Sequence, residues 1–150
     1  MANGYPMKLI DNKKLHLTYV TSDTKEAGIE LFGFEVKAVR NKQCSLEGSK
    51  VIIRGGEAFL VGVYIAPYQA ANSPKEYDPY RTRRLLFKKR EIEELHGIEQ
   101  TKTLTLHPNS LYSKNNLIKC EVAVCKKKDA RDKREDIKKD IARREVRDRL

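Results

Sequence analysis

The residues with the clearest chemical capacity in this chain are arginines and lysines. Arg81–Arg90 reads RTRRLLFKKR, six basic residues in ten. A guanidinium fork matches two phosphate oxygens at once. Arg81, Arg83 and Arg84 in an extended segment would therefore fan over a surface suited to a polyanion. A solvated basic face, partly neutralised by Glu91, Glu93 and Glu94, accounts for the same run equally well. A second concentration lies at the end. Lys126–Leu150 reads KKKDARDKREDIKKDIARREVRDRL, with twelve Lys or Arg and seven Asp or Glu, a balance of +5 out of the chain's +10. Ile137 and Ile141 are one helical turn apart, but the step to Val146 breaks the stripe. So narrow an apolar face cannot order the segment alone. The composition predicts an arm, 126–150, that is mobile in isolation and becomes helical on a polyanion, carried by a body, 1–125, that is itself net basic.

Other chemistry is sparse. Tyr64, Tyr68, Tyr77, Tyr80 and Tyr112 lie among the charges, and aromatics in a basic setting can stack on bases. Tyr64, in an apolar run, reads as core; Tyr77 and Tyr80, in a loop, are the better stacking candidates. There is no GxSxG, P-loop, HExxH or GxGxxG pattern. Glu26, Glu30 and Glu35 could hold a metal, but carboxylates in a basic chain more often pair with Lys and Arg. Cys44, Cys120 and Cys125 include no CxxC and read as buried free thiols, the last two on opposite faces of a strand. His16, His96 and His107 have no ligand spacing. No enzyme, cofactor or metal is expected.

The elements that would position these residues are short. Residues 1–12 read as loose. Lys13–Val20 alternates as a strand, Thr21–Thr24 reads as a turn or helix entry, and Gly28–Leu31 as extended. Phe34–Asn41 fits a short helix with Lys37 and Arg40 on one basic face. Lys50–Arg54 and Ala58–Ile65 flank Gly55-Gly56, a hairpin signal. Leu85, Leu86, Ile92 and Leu95 suit one face of a helix over Arg81–Gly97, with Gly97 as its C-cap. Thr101–Leu106 alternates, His107-Pro108-Asn109 turns, and Leu117–Val124 closes a hairpin through Asn115-Asn116. The sum is mainly β with short helices: one hairpin-rich sheet, best satisfied by a small, partly closed antiparallel barrel of OB type. No run has the length of a membrane span or of a signal-peptide core, and a cytoplasmic monomer is expected. The basic balance favours a nucleic acid over a membrane surface, because the arm has no aromatic or Leu-rich face to insert.

Over nearly its whole length the chain resembles the SmpB family. The matching stretches are Asn12-Lys13-Lys14, Glu26-Ala27-Gly28, Gly33-Phe34-Glu35-Val36-Lys37 with Arg40, Gly56-Glu57-Ala58-Phe59-Leu60, Ile65-Ala66-Pro67-Tyr68, Asp78-Pro79-Tyr80-Arg81-Thr82-Arg83-Arg84-Leu85-Leu86 and Asp132-Lys133-Arg134. The resemblance implies an OB-type barrel with flanking helices and a basic tail. It implies binding to the tRNA-like domain of tmRNA and its delivery to stalled ribosomes in trans-translation, without covalent chemistry. Asn12, Glu26 and Leu86 match positions that the resemblance links to RNA binding, Leu86 reading as a packing residue beneath the RNA surface, and the basic residues Lys13, Lys14, Lys37, Arg40, Arg81, Arg83 and Arg84 are expected to contact the RNA beside them. Asp132, Lys133 and Arg134 match the tail motif that the family needs on the ribosome, and the basic residues around them, Lys126, Lys127, Lys128, Arg131, Lys138 and Lys139, are expected to contact ribosomal RNA with them.

Three departures from the family pattern stand in the sequence. Arg131 stands where an aromatic or His is usual. Lys126-Lys127-Lys128 replaces a Gly-containing run. Asn41-Lys42-Gln43 lacks the usual turn Gly, which predicts an altered turn. A ribosomal or assembly protein with a basic tail, and a nuclease or RNA-modifying enzyme, are the competing functions.

Overall fold

The computed structural model describes residues 7–67, 75–129, 134 and 137–144. Its centre is a seven-stranded antiparallel sheet in the order β1-β8-β9-β2-β7-β5-β4. The strands are β1 (Met7–Asp11), β2 (Tyr19–Ile29), β4 (Lys50–Arg54), β5 (Glu57–Val61), β7 (Arg83–Leu86), β8 (Leu104–Lys114) and β9 (Leu117–Lys127). A two-stranded ladder pairs β3 (Cys44–Ser45) with β6 (Tyr64–Ile65). Helices α1 (Leu15–Thr18), α2 (Gly33–Arg40) and α3 (Lys89–Glu99) complete the order. The barrel is not closed: β1 and β4 are the two edges of the sheet, while β4 packs against β8 and α3 covers both.

Alternation builds the interior. On β9, Ile118, Cys120, Val122 and Val124 enter a core shared with Leu60, Leu85, Leu95, Leu106 and Leu111. Ala123 and Cys125, on the other face, meet Leu15 of α1. The opposite-face expectation for Cys120 and Cys125 thus holds, and desolvation pushes both thiols up in pKa. The two hairpins are also where they were expected. Gly55 and Gly56 take φ of 59° and 76°, and Asn115 and Asn116 take 53° and 64°, the left-handed pair that a two-residue turn between twisted strands requires.

Several expectations are corrected. Residues 7–11 are a strand rather than loose chain, because Leu9 and Ile10 are buried against β8. Asn12–Thr18 turns before β2 begins: the Asn12 carbonyl accepts from Leu15 N–H, and Leu15 then reaches the core. Thr21–Thr24 and His107–Asn109 are not turns. Both lie inside long strands, at places where the register shifts by one residue. Polar turn-formers and a proline are tolerated there because a bulge releases one residue from the ladder. The Ala58–Ile65 run is broken at Gly62, φ 84°, so its end pairs with β3 instead. The helix expected over Arg81–Gly97 divides into β7 and α3. Leu85 points inward and Leu86 outward, as strand neighbours must, and Gly97 lies within α3, which is capped at Gln100. Lys126 and Lys127 pair with Val20 and Tyr19, so β9 continues past the expected boundary at Cys125.

The turn after α2 keeps ordinary geometry without its glycine. Gln43 N–H bonds Ala38 O and Lys42 N–H bonds Val39 O, both at 2.9 Å, the pair of bonds that defines a Schellman ending. Lys42 occupies the left-handed position at φ 60°, where a Cβ costs roughly 1–2 kcal/mol.

Candidate nucleic-acid interface

Strands β7, β2, β9 and β8 present one outer row, because Leu86 is opposite Gly28, Gly28 opposite Lys119, and Lys119 opposite Tyr112. Glu26, two residues before Gly28, shares that face and stands opposite Glu121. Two like charges across a ladder repel, and the neighbours answer each in turn. Tyr112 donates its hydroxyl to Glu26 at 2.5 Å, Lys114 approaches the same carboxylate at 3.3 Å, and Asn109 Nδ2 donates to Glu121 at 2.8 Å. The Tyr112 bond is the main cause that holds Glu26 below the usual carboxylate range. Burial and the Glu26 acceptor together push the Tyr112 phenol up. Leu86 is 47% exposed and lies over Gly28, where a Cβ would stand 3.4 Å from its Cδ1. It is therefore an apolar element of the surface itself, not a packing residue beneath it.

The other expected contacts gather around this row. Arg84 is exposed between Glu30 at 3.4 Å and Glu57 at 3.3 Å, pairs loose enough to be exchanged for phosphate. Arg40 reaches from α2 to Ser113 Oγ and to the Asn116 carbonyl at the tip of the β8–β9 hairpin, with Lys37 exposed on the same helix. Asn12 is pinned by its N–H to Asn109 O at 2.8 Å and by its side-chain amide to Pro108 O at 2.9 Å. The bulge at Asn109 thus links the Asn12-Lys13-Lys14 loop to Glu121 and Glu26. Lys13 is exposed, and Lys14 pairs with Glu47 at 3.2 Å.

Arg81 and Arg83 do something else. Arg83 is fully buried. Its Nε and Nη2 donate to Glu35 Oε2 at 3.0 and 2.6 Å, its Nη1 to Val63 O, and its Nη2 also to Tyr77 Oη and Pro79 O. Arg81 caps the same carboxylate through Nε and Nη2 and stacks 4.0 Å over Phe32. Burial alone would raise the Glu35 pKa, but the donors from Arg81, the Phe32 N–H and Arg83 outweigh it and hold Glu35 below the usual range. Arg83 is thus a strut, not a phosphate fork. Tyr77 donates to Glu35 Oε2 at 2.9 Å and is withdrawn from stacking, while Tyr80 is exposed and rests against half-buried Tyr64. Glu26, Glu30 and Glu35, weighed as metal ligands, each meet a cation instead.

Lys119, Lys114 and Tyr112 were not foreseen as one group. The signal existed: a two-residue turn at Asn115-Asn116 pairs Lys114 with Leu117, which fixes Tyr112 opposite Lys119. In the arm, Arg134, Lys138 and Lys139 are helical and exposed, and residues 137–144 form a helix in which Arg144 pairs with Asp140 at 2.9 Å. Arg131, Asp132 and Lys133 lie outside the described residues.

Against known proteins, the sequence profile of the family described as SmpB protein matches residues 9–150. The chain belongs to the SmpB family. An SsrA-binding protein of Geobacillus kaustophilus is 41% identical over 97% of this chain and 94% of its own length. One from Persephonella marina is 46% identical over 90% and 88% respectively. Among solved structures, a chain from work described as "tmRNA-SmpB: a journey to the center of the bacterial ribosome" is 33% identical with a TM-score of 0.63, covering 86% of this chain and 87% of its own. Among the described residues no helix is long and apolar enough to cross a membrane.

Proposed function

We propose that this protein is an RNA-binding adaptor of ribosome rescue. It binds the tRNA-like domain of tmRNA and delivers it to stalled ribosomes for trans-translation. The observation that carries this reading is the match of the SmpB family to residues 9–150, with relatives named SsrA-binding proteins. It acts in the cytoplasm and performs no covalent chemistry. The outer face of β7, β2, β9 and β8 holds folded RNA through Leu86, Arg84, Lys114, Lys119 and Glu26, extended by Arg40 and Lys37 at one end and by the Asn12–Lys14 loop at the other. Such a surface reads shape and backbone more than sequence. The segment beyond the β-sheet, with Arg131, Asp132, Lys133, Arg134, Lys138 and Lys139, engages ribosomal RNA. The test is selectivity. At matched salt the protein should prefer the tRNA-like domain to plain RNA duplex, and it should leave RNA intact when incubated with magnesium. Equal affinity for both would favour a general ribosomal or assembly protein, and cleavage a nuclease.

A further inference from the structure

Beside the Asn12–Lys14 loop, between β1 and β3, runs an open groove of about 530 Å³. Lys8, Lys13, Lys14 and Lys42 line it, with Asp11 and Glu47. The acids are already engaged, since Asp11 pairs with Lys8 and Glu47 with Lys14, both at 3.2 Å. Among the described residues Lys13 and Lys42 have no acidic partner, so the groove keeps two uncommitted ammonium groups and a net positive field. Lys42 is also the conformational outlier. Of the described residues other than Gly, only Lys42, Asn115 and Asn116 have positive φ, and the asparagines form a hairpin turn that favours them. A lysine bears the left-handed strain at the end of α2, where Gly would relieve it and keep both Schellman bonds. Strain retained against an easy alternative points to a use for the side chain.

We propose that this groove is a further phosphodiester-binding subsite, in which Lys42 and Lys13 take the RNA backbone as it passes the Asn12 loop. The subsite rests on the function proposed above and extends its footprint to the far side of that loop, with Lys42 as the contact that the matched positions do not name. The loop is a firm wall for it, since two hydrogen bonds hold Asn12 to β8.

The experiment titrates wild type, Lys42→Gly and Lys42→Arg with the tRNA-like domain of tmRNA across a series of potassium chloride concentrations. Lys42→Gly should bind several-fold more weakly at low salt. Its plot of log affinity against log salt should be shallower by about one, as expected for one lost phosphate contact. Lys42→Arg should keep both affinity and slope, and Lys42→Gly should melt at no lower temperature than wild type. Wild-type affinity in Lys42→Gly, or weaker binding with an unchanged slope, would overturn the subsite. Failure of the functional reading looks different: wild type would then not distinguish the tRNA-like domain from duplex, whereas the Lys42 slope would still report on the groove.

Discussion

Glu35 and Arg83 are both fully buried and are joined by two hydrogen bonds, 3.0 and 2.6 Å long. Glu35 belongs to the G-F-E-V-K run that forms α2, and Arg83 to the D-P-Y-R-T-R run that enters β7. The two segments that look most distinctive in the sequence are therefore halves of one polar strut that ties a helix to the sheet. Val63 and Pro79 carbonyls, the Tyr77 hydroxyl and Arg81 complete it. A fully satisfied buried network of this kind fixes one packing arrangement, because any partial form leaves a charge without solvent or partner.

Removing one side of the strut should be costly. Arg83→Met leaves a buried carboxylate with fewer donors, and Glu35→Gln leaves two guanidinium groups without an anion. Each should lower unfolding free energy by about 3–5 kcal/mol in chemical denaturation. Arg81→Ala, at a quarter-exposed side chain, should cost less. A loss below about 1 kcal/mol for Arg83→Met would mean that the strut does not hold the fold.

The same strut sets an acid limit. Folding lowers the Glu35 pKa from its ordinary 4.5, so the unfolded chain binds the proton more readily. The stabilisation is present above 4.5 and is lost as pH falls through the folded value. At the alkaline end, burial and the Glu35 acceptor push Tyr77 from 10.0 to about 12. Its contribution is complete below 10.0 and declines as pH rises toward 12. Stability measured against pH should show both shoulders, and Tyr77→Phe should remove much of the alkaline one.

Glu26 permits a test in which two accounts predict opposite signs. If it served only as a negative charge, Glu26→Gln would strengthen binding to a polyanion. If it orients Lys114 and Tyr112 or accepts from the RNA, Glu26→Gln should weaken binding about tenfold, about 1.4 kcal/mol. We expect weakening with an unchanged circular-dichroism spectrum, because Glu26 is exposed and its loss opens no cavity. Tyr112→Phe should produce part of the same effect.

Leu86 separates surface from core. A buried leucine truncated to Ala costs about 2–5 kcal/mol. Leu86 is half exposed, so Leu86→Ala should cost under about 1 kcal/mol of stability while lowering RNA affinity. Its neighbour on β7, Leu85, is 1% exposed and should show the full core penalty.

Much of this arrangement was legible in residue order. Gly55-Gly56 and Asn115-Asn116 announced their hairpins, and the alternation of Ile118 to Cys125 separated the two thiols. What stayed hidden depended on partners distant in the chain. Nothing local distinguishes Arg83 from Arg84; strand parity and Glu35, 48 residues away, decide that one is a strut and the other a surface fork. Ser22 and Asn109 carry turn-former signals, yet a bulge uses the same residues, and only the pairing partner tells the two apart. Leu85-Leu86 followed by Ile92 and Leu95 imitates one helical face because a strand and a helix abut at Phe87-Lys88.

The division of labour between sheet and arm is the central claim, and one truncation tests it. Because β9 runs to Lys127 and Lys128 N–H still bonds Thr18 O, the cut belongs after Asp129, not after Cys125. The shortened chain should bind the tRNA-like domain of tmRNA with near-normal affinity and fail to support peptide tagging on stalled ribosomes. Affinity that falls as far as tagging does would contradict the account.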